Sequence, residues 1–174
     1  MELAILYETG EGQTRKIVGV IADQVRALGH EVTVIDAAEA MPEGALERAD
    51  KVILAAPVHE RRHPRAFETA LTAAREPLAK MPTLMLSVSL KAAFAEGMDE
   101  AQDYLTEMKM RTGLQPTQEA LVAGAVRAGS YDYFQSQIVK HVVLDGQDVD
   151  VSEGETEFTD WAALEKTVAG FLDR

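Results

Sequence analysis

Residues 51–56, Lys-Val-Ile-Leu-Ala-Ala, constrain the fold more than any other stretch of the chain. From Val52 onward the run is apolar without alternation, so the strand it forms must be buried on both faces. Such strands belong inside parallel sheets, and parallel neighbours need helical crossovers between them. The rest of the chain supplies those crossovers. Leu3–Tyr7 reads as a buried strand, followed by a helical pattern over Thr14–Leu28 with Ile17, Ile21, Val25 and Leu28 on one stripe and Gly29 as its stop. Glu31–Asp36 alternates as a second strand, and Pro42–Arg48 reads as a short helical connection. After the third strand, Pro64 opens a helix carried from Phe67 to Leu78. Thr83–Val88 is a fourth strand, Gly97–Thr112 a helix ended by Gly113, and Gln118–Val126 a fifth strand. Trp161–Leu172 is the closing helix, capped by Thr159 or Asp160. Five strands alternating with helices predict an α/β, doubly wound parallel sheet of flavodoxin-like order 2-1-3-4-5, with a ligand at the carboxyl ends beside strands one and three.

At 174 residues the chain is expected to form one domain over 1–174, with no repeat, low-complexity tract or linker. One segment is too long for a simple connection. About 127–158 lies between the last strand and the last helix, where a few residues would suffice. It holds Tyr131, Tyr133, Phe134, Ile138, Val139, Val142 and Val143, then an acidic tail with Asp145, Asp148, Asp150, Glu153, Glu155 and Glu157. A long insertion in a compact domain is more often functional than accidental.

Charge narrows the partners. A net charge of −12 opposes binding to nucleic acid and to anionic membrane surfaces. The absence of cysteine excludes disulfides, thiol catalysis and thiolate metal sites, and fits the cytoplasm. No apolar run approaches the ~20 residues of a membrane-spanning helix, and with the first strand starting at Leu3 no signal peptide is expected.

In so acidic a chain, local features that attract anions stand out. The first strand runs into Glu8-Thr9-Gly10-Glu11-Gly12-Gln13-Thr14-Arg15. A strand, a loop of glycines and hydroxyls and a helix start together aim backbone N–H groups and a helix dipole at one spot. Gly10 and Gly12 permit close backbone approach, and Thr9 and Thr14 carry hydroxyls. The three-glycine dinucleotide fingerprint and the Gly-Lys-Ser/Thr ending of a P-loop are both absent, so the loop suits a single phosphate such as that of FMN. A ligand-free strand–turn–helix connection is the competing reading.

The loop after the third strand, Pro57-Val58-His59-Glu60-Arg61-Arg62-His63-Pro64-Arg65, is the densest basic stretch. It places positive charge ahead of a helix N-terminus, against the dipole. That arrangement suits an anion, whether substrate carboxylates or the charge on a reduced flavin; a solvated loop paired with nearby acids is the alternative. His59 and His63 lie four apart but lack a matching third ligand, so no metal is expected, and either is a candidate proton donor or acceptor. The loop after the fourth strand, Ser89-Leu90-Lys91-Ala92-Ala93-Phe94, is placed to present backbone groups and Phe94 to a flavin edge. Met108, Met110 and Trp161 read as packing residues.

These segments together resemble the flavodoxin-like protoporphyrinogen oxidase family, the bacterial menaquinone-dependent protoporphyrinogen dehydrogenases. Gly12-Gln13-Thr14-Arg15 is similar to the family's Asp-Gly-Gln-Thr-Arg run, and Ala56-Pro57-Val58-His59 with His63-Pro64 to its Ala-Ser-Val-His…His loop. Ser87-Val88-Ser89-Leu90, Ala123-Gly124-Ala125 and Phe158-Thr159-Asp160-Trp161 resemble its later signatures, so the similarity runs nearly end to end. The resemblance implies noncovalent FMN held by Thr9–Thr14, and loops Pro57–His63 and Ser89–Phe94 flanking the isoalloxazine. It implies six-electron oxidation of protoporphyrinogen IX in heme biosynthesis with a quinone acceptor, and propionates gripped by Arg61, Arg62 and Lys91. It leaves open a place at the inner membrane face and a homo-oligomer. The chain departs from the family in several places. Glu11 is an acid within the phosphate loop, and Pro57 replaces a small hydroxyl residue. Glu60 and Arg61 stand where aromatic or small residues and a glycine are common. The insertion carries Arg127 and Lys140 as its only Lys or Arg residues, and its acidic tail would be repelled by anionic lipid. Two other readings compete: a soluble FMN electron carrier, favoured by the acidic surface, and a flavodoxin fold that has lost its flavin.

Overall fold

The computed structural model describes residues 1–127 and 155–174. The acids and aromatics of the insertion singled out above, from Tyr131 to Glu153, lie outside them. Five strands, β1 (Glu2–Tyr7), β2 (Glu31–Asp36), β3 (Lys51–Pro57), β4 (Thr83–Ser89) and β5 (Gln118–Ala123), form one parallel sheet of order β2-β1-β3-β4-β5. The run that reads as doubly buried is a central strand, β3, buried from Lys51 to Ala56, and its neighbour β4 is buried along its whole length although three of its residues are polar.

The period-two geometry of the strands divides their side chains between two cores. Leu3, Ile5, Ile53, Ala55, Leu84 and Leu86 face α1 (Gln13–Ala27) and the closing helix α5 (Trp161–Leu172). Ala4, Leu6, Val52, Leu54 and Met85 face α2 (Arg65–Ala73), α3 (Arg75–Leu78) and α4 (Met98–Thr112). Phe67 at 0% exposure is among the largest side chains of the second core, and its loss would cost about 3–5 kcal/mol.

Three expectations are corrected. Pro42–Arg48 is a series of turns rather than a helix, because Gly44 sits at φ +70, outside the helical region; Leu46 still plugs the second core. The helix expected over Phe67–Leu78 breaks at Ala74 into α2 and α3. Pro77 accounts for the break: it lacks the amide that would bond the Ala73 carbonyl, and its ring would strike that carbonyl. The fifth strand stops at Ala123. There the Gly124 amide donates to the Ser89 carbonyl at 3.1 Å and the Gly124 carbonyl accepts from the Phe158 amide at 3.0 Å. The chain then forms β6 (Ala125–Arg127), which pairs antiparallel with β7 (Glu155–Glu157) across the ends of the insertion.

The closing helix α5 (Trp161–Leu172) is capped by Asp160, whose Oδ1 accepts from the Ala163 amide at 3.0 Å. Its other end is closed from the sheet. Lys51 at the start of β3 is 8% exposed and donates to the carbonyls of Phe171 and Leu172, each at 2.9 Å. A buried ammonium satisfying terminal carbonyls also complements the negative end of the helix dipole.

Candidate functional site

The loops after β1, β3 and β4 meet at the carboxyl ends of the strands, on either side of the point where the sheet order reverses. In the first loop Thr9 Oγ1 accepts the Gly12 amide at 3.0 Å. Gly12 has φ +99, a conformation that a side chain would strain, and so turns the chain into α1. No side chain caps α1 and its first turn has no acid, so the positive end of the helix has no carboxylate of its own there. The Glu11 carboxylate lies toward the neighbouring loop, with Oε1 3.8 Å from His59 Nδ1.

Glu8 does what the sequence did not announce. Its Oε2 accepts the Phe67 amide at 2.7 Å, capping α2 across the site, since Pro64 at the N-cap position has no side-chain acceptor. Burial raises the Glu8 pKa; the Phe67 bond opposes the rise and the charge of Asp36 adds to it. The signal was faint: an acid ending a buried strand, opposite a helix that begins at proline.

The loop after β3 is a tight hairpin. His59 and Arg62 exchange backbone hydrogen bonds at 2.9 and 3.2 Å, and the two residues between them, Glu60 and Arg61, have φ +49 and +69. Left-handed backbone at two successive residues is the geometry of a two-residue β-turn that ordinarily uses glycine or asparagine. In L-residues with long side chains it costs roughly 1 kcal/mol or more each. Side chains hold the turn in place. Arg61 pairs with Glu100 at 3.3 Å and lies 5.7 Å from the centre of the Tyr104 ring. Arg62 pairs with Glu68 Oε2 at 3.0 Å. Arg111 grips the same carboxylate from α4, with Nη2 2.6 Å and Nε 3.1 Å from Oε1. Burial alone would raise the Glu68 pKa, but the Arg111 and Arg62 hydrogen bonds outweigh it and hold the carboxyl below its usual value.

His63 is buried at 2% exposure, with Nε2 2.8 Å from Ser87 Oγ on β4. Its Nδ1 is buried with no hydrogen-bond partner among the described residues. Burial lowers its pKa to about 4, against the pull of Glu68 and with the push of Arg111, so the ring is neutral at pH 7. His59 is half-exposed at the mouth.

In the third loop the Ser89 hydroxyl accepts the Ala92 amide at 3.2 Å, and the Leu90 carbonyl the Ala93 amide at 3.0 Å. Lys91 reaches Glu100 at 2.9 Å. Phe94 meets Phe158 edge-on, with centroids 5.5 Å apart. A fourth contact comes from beyond the insertion. Glu157 accepts from Gln13 at 2.9 Å, from Lys16 at 2.7 Å and from the Trp161 indole at 3.0 Å. Hydrogen bonds from Lys16 and then Gln13 pull its pKa down to about 2. Gln13 also donates to Thr159 at 3.0 Å, whose hydroxyl donates to the Ala123 carbonyl at 2.7 Å.

Thr9, Gly10, Glu11, Pro57, Val58, His59, Arg62 and His63 therefore line one cleft of about 600 Å³, a size suited to a ligand with a ring system. Gly12 and Thr14 form the helix start beside it, and Gln13 turns toward Glu157. Arg61 turns away toward α4. Ser89, Leu90, Lys91 and Phe94 form the adjacent loop rather than the cleft wall. Glu68, Glu100 and Glu157 were missed in the sequence because their partners are distant along the chain. Glu68 was the most visible of them, an acid in the helix turn that follows the arginines. No group of three or more His, Cys, Asp or Glu side chains among the described residues is placed to hold a metal ion, and no helix among them is long and apolar enough to cross a membrane.

With this geometry in view, comparison with known proteins is informative. The chain is 27% identical over 179 residues to the protoporphyrinogen IX dehydrogenase [quinone] of Escherichia coli K12, spanning 100% of this chain and 98% of that protein. Flavodoxin 1 of Bacillus cereus superposes with a TM-score of 0.55 at 16% identity, covering 100% of this chain and 99% of that one. A Fusobacterium nucleatum flavodoxin mutant bound to flavin mononucleotide superposes with a TM-score of 0.53 at 13% identity, covering 99% and 94%. The family model described as Flavodoxin domain matches residues 4–152, most of the chain, and the chain belongs to that family.

Proposed function

We propose that the protein is an FMN-dependent oxidoreductase that dehydrogenates protoporphyrinogen IX or a closely related anionic tetrapyrrole, passing electrons to a quinone. The observation that carries this reading is the likeness to a protoporphyrinogen IX dehydrogenase along the whole chain, joined to a helix start with no acid in its first turn beside a ring-sized cleft.

The residues present fit FMN. Thr9, Gly10, Gly12, Gln13 and Thr14 would hold the phosphate, with α1 supplying its dipole and Glu11 drawn aside toward His59. Pro57, Val58 and His59 would flank the ring within the cleft, with Ser89, Leu90, Lys91 and Phe94 on the adjacent loop at its outer edge. When bound, FMN supplies the electron-accepting chemistry. The balance is three two-electron oxidations: protoporphyrinogen loses six electrons and six protons in all, and three quinones leave as quinols. The chain's own part is to bind, orient and move protons. His59, accessible at the mouth, is the candidate for proton movement, while neutral, buried His63 holds the loop to β4 through Ser87. Arg61 and Lys91 would supply positive charge for propionates, whereas Arg62, expected to share that part, is held by Glu68.

The test is a flavin titration followed by anaerobic turnover. FMN should bind near stoichiometrically, and protoporphyrinogen should bleach the flavin and be oxidised steadily on addition of a quinone. Flavin binding without bleaching would leave the second reading, a soluble electron carrier, which the net charge of −12 favours by suiting docking to basic redox partners. Failure to bind FMN would leave a flavin-free member of the fold.

A further inference from the structure

The cations around the cleft are not equivalent. Arg62 is committed: its carboxylate partner, Glu68, is 9% exposed and gripped from the other side by Arg111. Drawing Arg62 toward a ligand would leave a largely buried carboxylate short of a partner, which is unfavourable. Arg61 and Lys91 come from different strand loops and converge on one acid, Glu100, at 3.3 and 2.9 Å. Glu100 belongs to neither loop; it projects from the first turn of α4 and is about one-third exposed at 32%. Tyr104, one turn further along α4, helps hold the Glu100 carboxyl ionised, and Arg61 lies over the Tyr104 ring. The Lys91 hydrogen bond is the main influence holding Glu100 ionised, with Tyr104 and Arg61 adding to it.

A carboxylate held between an arginine, a lysine and a phenol is what a bound substrate carboxylate would look like at this place. Partly exposed ion pairs of this kind contribute modestly, and one carboxylate replaces another on the same cations, so the exchange is close to balanced. Once released, Glu100 would remain in the first turn of α4, where the helix dipole favours an acid.

We propose that Arg61, Lys91 and Tyr104 form a carboxylate subsite at the rim of the cleft, and that Glu100 fills it in the free protein as an internal competitor displaced by a carboxylate of the substrate. The assignment of that carboxylate to a tetrapyrrole rests on the function proposed above; the subsite itself does not. An internal competitor lowers apparent affinity in proportion to the fraction of molecules in which it is seated. Glu100→Gln keeps the size and the hydrogen-bonding capacity but removes the competing charge.

The experiment measures binding to the FMN-loaded protein of two probes: protoporphyrin IX, followed by its fluorescence, and benzenehexacarboxylate, followed by calorimetry. E100Q should bind both about three- to tenfold more tightly than the wild type. R61Q should bind both more weakly, and the double variant should lose the gain of E100Q. Matching FMN content in the variants checks that the fold is intact. Tighter benzenehexacarboxylate binding by E100Q with no protoporphyrin binding by any form would uphold the subsite and remove the tetrapyrrole reading. Equal or weaker benzenehexacarboxylate binding by E100Q would overturn the subsite. A gain in E100Q that persists in the double variant would overturn it too.

Discussion

The carboxylate of Glu8 caps a helix that starts 57 positions later, through its 2.7 Å bond to the amide of Phe67. This ties the end of β1 to the start of α2 and sets the width of the cleft between them. Glu8→Ala should lower stability by about 1 kcal/mol, the usual loss for a helix cap, read as a lower urea midpoint with an unchanged slope. It should also weaken FMN binding, because the two loops are no longer held together. Normal flavin affinity in the destabilised variant would show that the cap supports α2 alone.

Gly12 is the hinge on which α1 turns into the site. At φ +99, Gly12→Ala should cost about 1–2 kcal/mol and weaken FMN binding at least tenfold. The second effect is the informative one, and a flavin fluorescence titration measures it. A variant with lowered stability but wild-type flavin affinity would place the phosphate elsewhere.

His63 gives a pH signature. Its pKa is about 4 in the native protein against 6.5 when exposed, so between those values the unfolded chain takes up a proton that the native protein does not. Stability is therefore complete above pH 6.5 and falls as the pH drops toward 4, by an amount on the order of 3 kcal/mol. Urea melts at several pH values should show this slope in the wild type and a flatter profile in His63→Gln. Glu157 acts in a lower window. With its pKa pulled down to about 2, its contribution is present above pH 4.5 and lost only as the pH falls from there toward 2.

Lys51 satisfies two carbonyls at the end of α5. Lys51→Met retains the apolar stem but leaves those acceptors bare, and should cost about 1–3 kcal/mol. Hydrogen exchange should quicken in the last turn of α5 while FMN affinity stays unchanged.

The sheet order was legible because β3 is apolar without interruption from Val52 and because the other crossovers have a helical stripe, although the one between β2 and β3 has none; a local pattern was enough. The phosphate loop and the basic hairpin were legible for the same reason, as short contiguous runs. The contacts that set the hairpin were not. Glu68 and Arg111 are 43 positions apart, and Lys51 and Phe171 are 120 apart, so neither pair leaves a trace in spacing. The positive φ of Glu60 and Arg61 was also hidden, since neither residue type signals it. The break at Ala74 could have been read from Pro77, whereas the end of β5 depends on Gly124 donating to Ser89 and accepting from Phe158, which no local pattern encodes.

Gln13 stands in the first turn of the first helix, yet its side chain is held by Glu157 and Thr159, 144 and 146 positions later. Synthesis proceeds from the amino end, so the β1–α1 unit emerges long before the residues that fasten it. The nascent chain passes through a stage in which the sheet can form while its anion-binding corner still lacks these fastenings. Cofactor loading should therefore be a late, post-translational event, and a chain halted before Glu157 should have the framework of the site but little hold on a flavin.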